Sequence, residues 1–185
     1  MAILQKGRLS ASRISAIAVV VQNQNAPKGG LQLYTPGWYD GAGQQFTLPS
    51  GSNVVLIKCS FLLKKVGNPT GLATARLYLY NPTSQLPTTL LATSNGFDIS
   101  TLTTIGVVWV TFTFSGANQY VMTPGTPYVI GVFVPSSGTD SSDYVVYSYT
   151  SVISGLGWLW FHQAPTTWSY TSAFNMDFIV YGRAV

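Results

Sequence analysis

Polar and apolar positions alternate through residues 107–134, and that stretch sets the reading of the rest of the chain. In its run WVTFTF, Trp109, Thr111 and Thr113 fall on one side and Val110, Phe112 and Phe114 on the other. A period of two is the signature of a strand with one buried face. A turn signal follows at Ser115 to Asn118 and another at Thr123-Pro124-Gly125-Thr126, and the next run is rich in Val, Ile, Tyr and Phe. The pair predicts the centre of an antiparallel sandwich.

The flanking sequence follows the same pattern. Residues 54–66, VVLIKCSFLLKKV, are almost continuously apolar and predict a long central strand. The GNPTG run turns the chain, and residues 72–80 return with Ala73, Ala75, Leu77 and Leu79 opposed to Thr74, Arg76, Tyr78 and Tyr80. Upstream, LQLY predicts a short strand, TPGWYDGAG a loop presenting Trp38 and Tyr39, and QQFTLPSGSN a strand and a turn. Downstream, NPTSQLPTT predicts a loop around Pro82 and Pro87, LLATS a short strand and Asn95-Gly96 a turn, while residues 99–105 are poorly patterned. A Ser/Gly/Asp loop at 135–143 leads to a strand at 144–150, then to GLGWLWFHQ, the loop APTT and WSYTS. The last strand, 174–181, puts Phe174, Met176, Phe178 and Val180 on one face. No stretch carries a convincing helical period. The expected class is all-β, a two-sheet antiparallel sandwich of jelly-roll type with an extended N-terminal arm, a closed barrel being the alternative. Residues 1–28 form the basic arm or first strand, and 29–185 a single sandwich domain.

Composition sharpens the picture. The chain has 185 residues, enough for a full core, and only 8% are charged where roughly 25% is usual. The one cysteine, Cys59, excludes an intrachain disulfide and a cysteine-based zinc site, and it sits in an apolar strand as a small hydrophobe. An unpaired cysteine leans towards folding in a cytoplasm. The net charge of +4 is concentrated early, because Lys6, Arg8, Arg13 and Lys28 are the only charged residues before Asp40. In the body, Lys58, Lys64, Lys65, Arg76 and Arg183 balance Asp40, Asp98, Asp140, Asp143 and Asp177. The apolar run ISAIAVVV behind the basic residues resembles a secretory leader but is short, and no run approaches the ~20 apolar residues of a membrane helix. The expectation is a soluble protein that retains its N-terminus and has no membrane partner.

Candidate chemistry is sparse. His162 is the only histidine, so a Ser/His/Asp triad would need it beside one of the aspartates, and no G-x-S-x-G elbow is present. Without glutamate, paired carboxylates would have to be aspartates; Asp140 and Asp143 are too isolated for an EF-hand loop, and no glycine-rich phosphate loop precedes a helix. The reading is therefore non-enzymatic, with no cofactor and no metal. The aromatic residues carry more information. On a strand, Trp158, Trp160 and His162 share one face and Leu159 and Phe161 the other, with Trp168 and Tyr170 returning beside them. One of these faces fills the core, and the other is left for a neighbouring subunit, a loop or a sugar ring. Trp38 and Tyr39 are read in the same way, with more weight on surface binding. Basic residues among aromatics raise nucleic-acid binding, but the body is neutral and Lys64-Lys65 is a small patch, so only the arm could bind one. The arm, through Lys6, Arg8, Arg13, Ile14, Ile17, Val19 and Val21, is expected to dock on a neighbouring subunit, since an isolated apolar strand is marginal in water. The alternative is that it adds a strand to its own sandwich.

The order VGNPTGLATARLYLY, LPTTLLATS, VVWVTFTFSG and TPGTPYVIGVFV resembles sandwich modules of phage and viral surface proteins, fibres and decoration proteins. It is also similar to modules in some carbohydrate-binding or surface-anchored bacterial proteins. The resemblance covers residues 44–134 and implies a structural or binding part without catalytic residues. The function expected from it is a virion structural protein of capsid, decoration or fibre type, made in the host cytoplasm. Its expected partners are further copies of itself, as a trimer or larger, and other virion proteins. The alternative is an extracellular carbohydrate-binding module that uses exposed aromatics on a glycan.

Overall fold

Strands with one apolar side must bury that side, and here they do so in two antiparallel sheets packed face to face. The structure, a computed structural model, describes residues 16–36, 38–152, 154, 156–157, 159–163 and 167–185. Chain order runs β1 (Ala18–Asn23), β2 (Gly29–Leu33), β3 (Gly41–Thr47), β4 (Val54–Val66), β5 (Leu72–Asn81), β6 (Leu86–Thr93), β7 (Phe97–Asp98) and β8 (Val108–Thr113). It continues through β9 (Val121–Met122), β10 (Pro127–Phe133), β11 (Tyr144–Ser151), β12 (Leu159–Gln163), β13 (Thr167–Thr171), β14 (Phe174–Met176) and β15 (Phe178–Ala184). The first sheet has the order β1-β15-β4-β11-β14, with β2 added on β11 and β8 and β9 on β4. The second has the order β13-β12-β3-β10-β5-β6, with β7 on β5. The only helical turns among the described residues are two short 3₁₀ segments.

The core lies where the two sheets meet. β4 has the bounds its apolar run predicts, and it pairs with β15, β11, β8 and β9. In β8 the alternation is realised side chain by side chain: Val110 and Phe112, and Phe114 after the strand, are buried, whereas Thr111 and Thr113 are exposed. The Phe112 ring meets Phe61 and Phe97 edge-on, each at 5.9 Å. A polar link also crosses the core. The buried Gln44 of β3 donates to the Gly157 carbonyl at 2.8 Å and accepts from the Met176 amide of β14 at 2.9 Å, tying the second sheet to the first. Cys59 is buried and free, and burial raises its thiol pKa well above the ordinary value.

Four local features differ from the sequence reading. Residues 41–43, read as loop, open β3 instead; their glycines serve close packing, since a β-carbon on Gly41 would run into the Phe133 ring and one on Gly43 would lie 2.9 Å from Val129. The stretch LPTT belongs to β6, an edge strand, where Pro87 opposite Tyr80 sacrifices little of the ladder. The last strand is divided at Asp177, whose amide donates to the Ser148 carbonyl at 3.1 Å; β14 stays on β11 and β15 passes to β4 and β1. Finally, residues 18–23 of the expected arm add β1 to β15 of their own sheet, with an irregularity between Val19 and Val21, rather than leaving the body. The β-branched run has an antiparallel partner within reach, and pairing satisfies its backbone. Lys6, Arg8, Arg13 and Ile14 lie outside the described residues.

Candidate binding faces

The outer face of the second sheet carries an aromatic cluster on a glycine floor, and the register explains why. Gly41 stands opposite His162 on β12 and Phe133 on β10, Gly43 opposite Trp160 and Gly131, and Gly131 opposite Arg76 on β5. Three glycines in the central strands leave a shallow channel, and the large side chains of the neighbouring strands fold into it. Trp160 is 0% exposed there and forms a second cluster with Tyr78, Tyr80, Val129 and Phe133, against which Trp168 packs. Trp160 lies 5.2 Å from Tyr170, 5.9 Å from Tyr80 and 6.3 Å from Trp168. Its indole N–H donates to Gln45 Oε1 at 3.3 Å. Arg76 places its guanidinium 4.5 Å above the Phe133 ring.

His162 belongs to the same face. Its Nδ1 lies 2.7 Å from Asp40 Oδ1, its ring meets Trp168 edge-on at 4.8 Å, and its carbonyl accepts the Asp40 amide at 3.0 Å. The pair fastens the loop before β3 to β12. Among the described residues the ring's contacts are with Asp40, Phe133 and Trp168. The other two aspartates considered for chemistry organise their own loops: Asp140 accepts the amides of Ser142 and Asp143 at 2.6 and 2.9 Å, and Asp143 accepts that of Asn68 at 2.6 Å. Those amides hold the Asp140 carboxyl below its ordinary range. Among the described residues no cluster of three metal-ligating side chains occurs.

The expected aromatic set therefore separates by exposure. Trp160 and His162 do share a face, with Leu159 and Phe161 on the core side, but they are buried among neighbouring rings rather than open. Trp168 is half-buried and Tyr170 is 53% exposed, which makes Tyr170 the open end of that cluster. Trp158 lies outside the described residues. Tyr39 stacks on Phe161 at 4.8 Å and helps close one edge of the core. Trp38 is 45% exposed and lies nearly parallel to Tyr34, at 6.3 Å and 9°, while Tyr34 in turn tilts against Tyr144 at 6.1 Å. Of the arm residues, Ile17 and Val19 are 53% and 47% exposed, and Val21 packs against the core.

Sequence reasoning missed Tyr34, Tyr144, Tyr78, Tyr80 and Phe133 as members of surface clusters, because strand tyrosines and phenylalanines are ordinary core material. A signal was present in Gly41, Gly43 and Gly131, which interrupt strand-forming runs at the spacing of one face. No family model matches this chain, and no match is found among curated proteins.

Proposed function

We propose that the protein is a non-enzymatic structural subunit of a virion, a sandwich of jelly-roll type acting in a capsid, decoration or fibre, that assembles with further copies of itself. The observation that carries the reading is β1. Among the described residues its only ladder partner is β15, it carries the exposed Val19 with Ile17 just before it, and no charge or proline lies between Ala16 and Ala26. Apolar edges are normally blunted by Lys, Pro or a bulge; β1 has only its irregularity between Val19 and Val21, and an edge without charge or proline is a template for another chain. A second copy, or another virion protein, is the natural cover. Light scattering at micromolar concentration tests this: a trimer or larger is expected, and a strict monomer overturns it. The double substitution Ile17→Lys and Val19→Lys should dissociate the assembly while leaving the circular dichroism of the body unchanged.

A second reading, a carbohydrate-binding module on a cell or particle surface, is favoured by the open rings of Trp38 and Tyr170. Tryptophan fluorescence protected from a soluble quencher by an oligosaccharide, in a protein that stays monomeric, would favour it over the first.

A further inference from the structure

The outer face of the first sheet holds a trough apart from the Trp160 cluster. Its rows follow from the register. Val146 of β11 stands between Gln32 of β2 and Lys64 of β4, Ser148 stands opposite Gly30, and Tyr144 opposite Val66. Alternation sends Leu31, Leu33, Leu63, Val145 and Tyr147 into the core, so Gln32, Lys64, Tyr144, Val146 and Ser148 all face outwards. Gly30 has no side chain and Val146 leans over it, which keeps the middle low, and Lys28, Gln32 and Lys64 line the space around it. The result is a concavity of about 500 Å³, within the size of small-molecule sites.

Its charge is one-sided. Lys28 and Lys64 line it and no aspartate does, although Ser148 of its lining donates to the buried Asp177 carboxyl at 2.6 Å. Alternation also separates the two adjacent lysines: Lys65 spends its ammonium on the Ser100 carbonyl at 2.6 Å, leaving Lys64 for the trough. At one end Tyr144 continues into Tyr34 and the nearly parallel Trp38, a run of aromatic surface that ends half-exposed. Flat rings beside two cations and an amide side chain suit a ligand with apolar ring faces, hydroxyls and carboxylates. Two cations are too few to hold a phosphodiester backbone.

We propose that this trough binds an acidic oligosaccharide, its uronate carboxylates paired with Lys28 and Lys64, its hydroxyls with Gln32, and a pyranose face laid on the Tyr144–Tyr34–Trp38 surface. The proposal rests on the saccharide-binding reading and deepens it by naming the ligand class and by joining the lysine-lined trough to the Trp38 ring, and it can fail separately. Titration calorimetry of the full chain with tetragalacturonate, a glucuronate tetrasaccharide, and the fully methyl-esterified tetragalacturonate tests it. Binding of at least one acid form is expected, with the ester at least about tenfold weaker and affinity falling with salt. Lys64→Gln should weaken the acid about tenfold and Lys28→Gln/Lys64→Gln should abolish it, with unchanged circular dichroism and melting. Trp38→Ala should weaken acid and ester alike. Equal affinity for acid and ester, or an unchanged Lys64→Gln, overturns the proposal but leaves the saccharide reading standing if Trp38→Ala still matters. No binding by any of the three overturns the proposal, and the quenching test with a neutral oligosaccharide then decides the saccharide reading by itself.

Discussion

β8 and β12 are both short strands that carry large aromatic side chains, yet they solve opposite problems. β8 buries Val110 and Phe112 and leaves Trp109, 41% exposed, with Thr111 and Thr113 on the open side. β12 buries both sides, Leu159 and Phe161 in the sandwich core and Trp160 and His162 under rings from β5, β10 and β13. The difference lies in the neighbours. Ser60 and Thr111 share a hydrogen bond of 2.8 Å on the outer side of β8, where Trp109 stands opposite Leu62 and no glycine of β4 leaves a hollow for its ring. Beside β12 the glycines of β3 remove side-chain bulk, and the surrounding aromatics collapse into the space. Apolar surface is thus buried without a third layer, because one sheet supplies both the hollow and its filling.

The comparison can be broken by truncation. The largest effect is expected at the true core: Phe112→Ala should cost about 3–5 kcal/mol, read from chemical denaturation, because it leaves a cavity between Phe61 and Phe97. If the outer cluster is a second core, Trp160→Ala should cost about 3 kcal/mol, whereas Trp109→Ala on the open side of β8 should cost less than about 1 kcal/mol. Equal and small losses at both tryptophans would show that the outer face of β12 is only a decorated surface. Thr111→Ala should fall between them at about 1 kcal/mol, since Ser60, itself buried, loses its partner.

The smallest expected effect is a pH slope, and it arises on the opposite sheet. Asp177 is buried with one oxygen accepting from Ser148 at 2.6 Å and the other, Oδ1, without a partner. Burial raises its pKa above the ordinary 3.8, only partly offset by the Ser148 bond. The folded protein therefore keeps this proton to higher pH than the unfolded chain, so the stabilising contribution is full below 3.8 and is lost as pH rises through the raised folded value. Asp98 and Asp140 act in the other sense: hydrogen bonds to Ser100 and to Ser142 lower their values, and their contributions are lost as pH falls. Both persist in Asp177→Asn, which isolates the buried group. The melting temperature of Asp177→Asn relative to the parent should rise from near zero difference in acid to a plateau at neutral pH. A difference that stays flat would mean that the carboxyl is not held protonated by the fold.

Most of the strand list was legible because alternation and turn residues are local. The bounds of β4, the inward set of β8, the facing sets of β5 and the apolar face shared by Met176, Phe178 and Val180 all follow from a period of two. Legibility failed where a residue had two physical uses. Gly41 and Gly43 look like a loop because glycine favours turns, yet here they make room for Phe133 and Val129. Pro87 looks like a strand breaker, yet an edge strand tolerates it.

By itself the sequence determined an all-β chain whose strands mostly carry one apolar face, a neutral, weakly charged body and a single buried thiol. These depend on the intrinsic geometry of strands and on transfer from water, which act residue by residue. Only the tertiary structure decided that β1 joins its own sheet, that Trp160 and His162 are covered rather than offered, and that Lys28, Gln32, Lys64 and Tyr144 meet around one trough. Each of those outcomes depends on which strands become neighbours and in what register. Register is a relation between distant segments that no local period encodes.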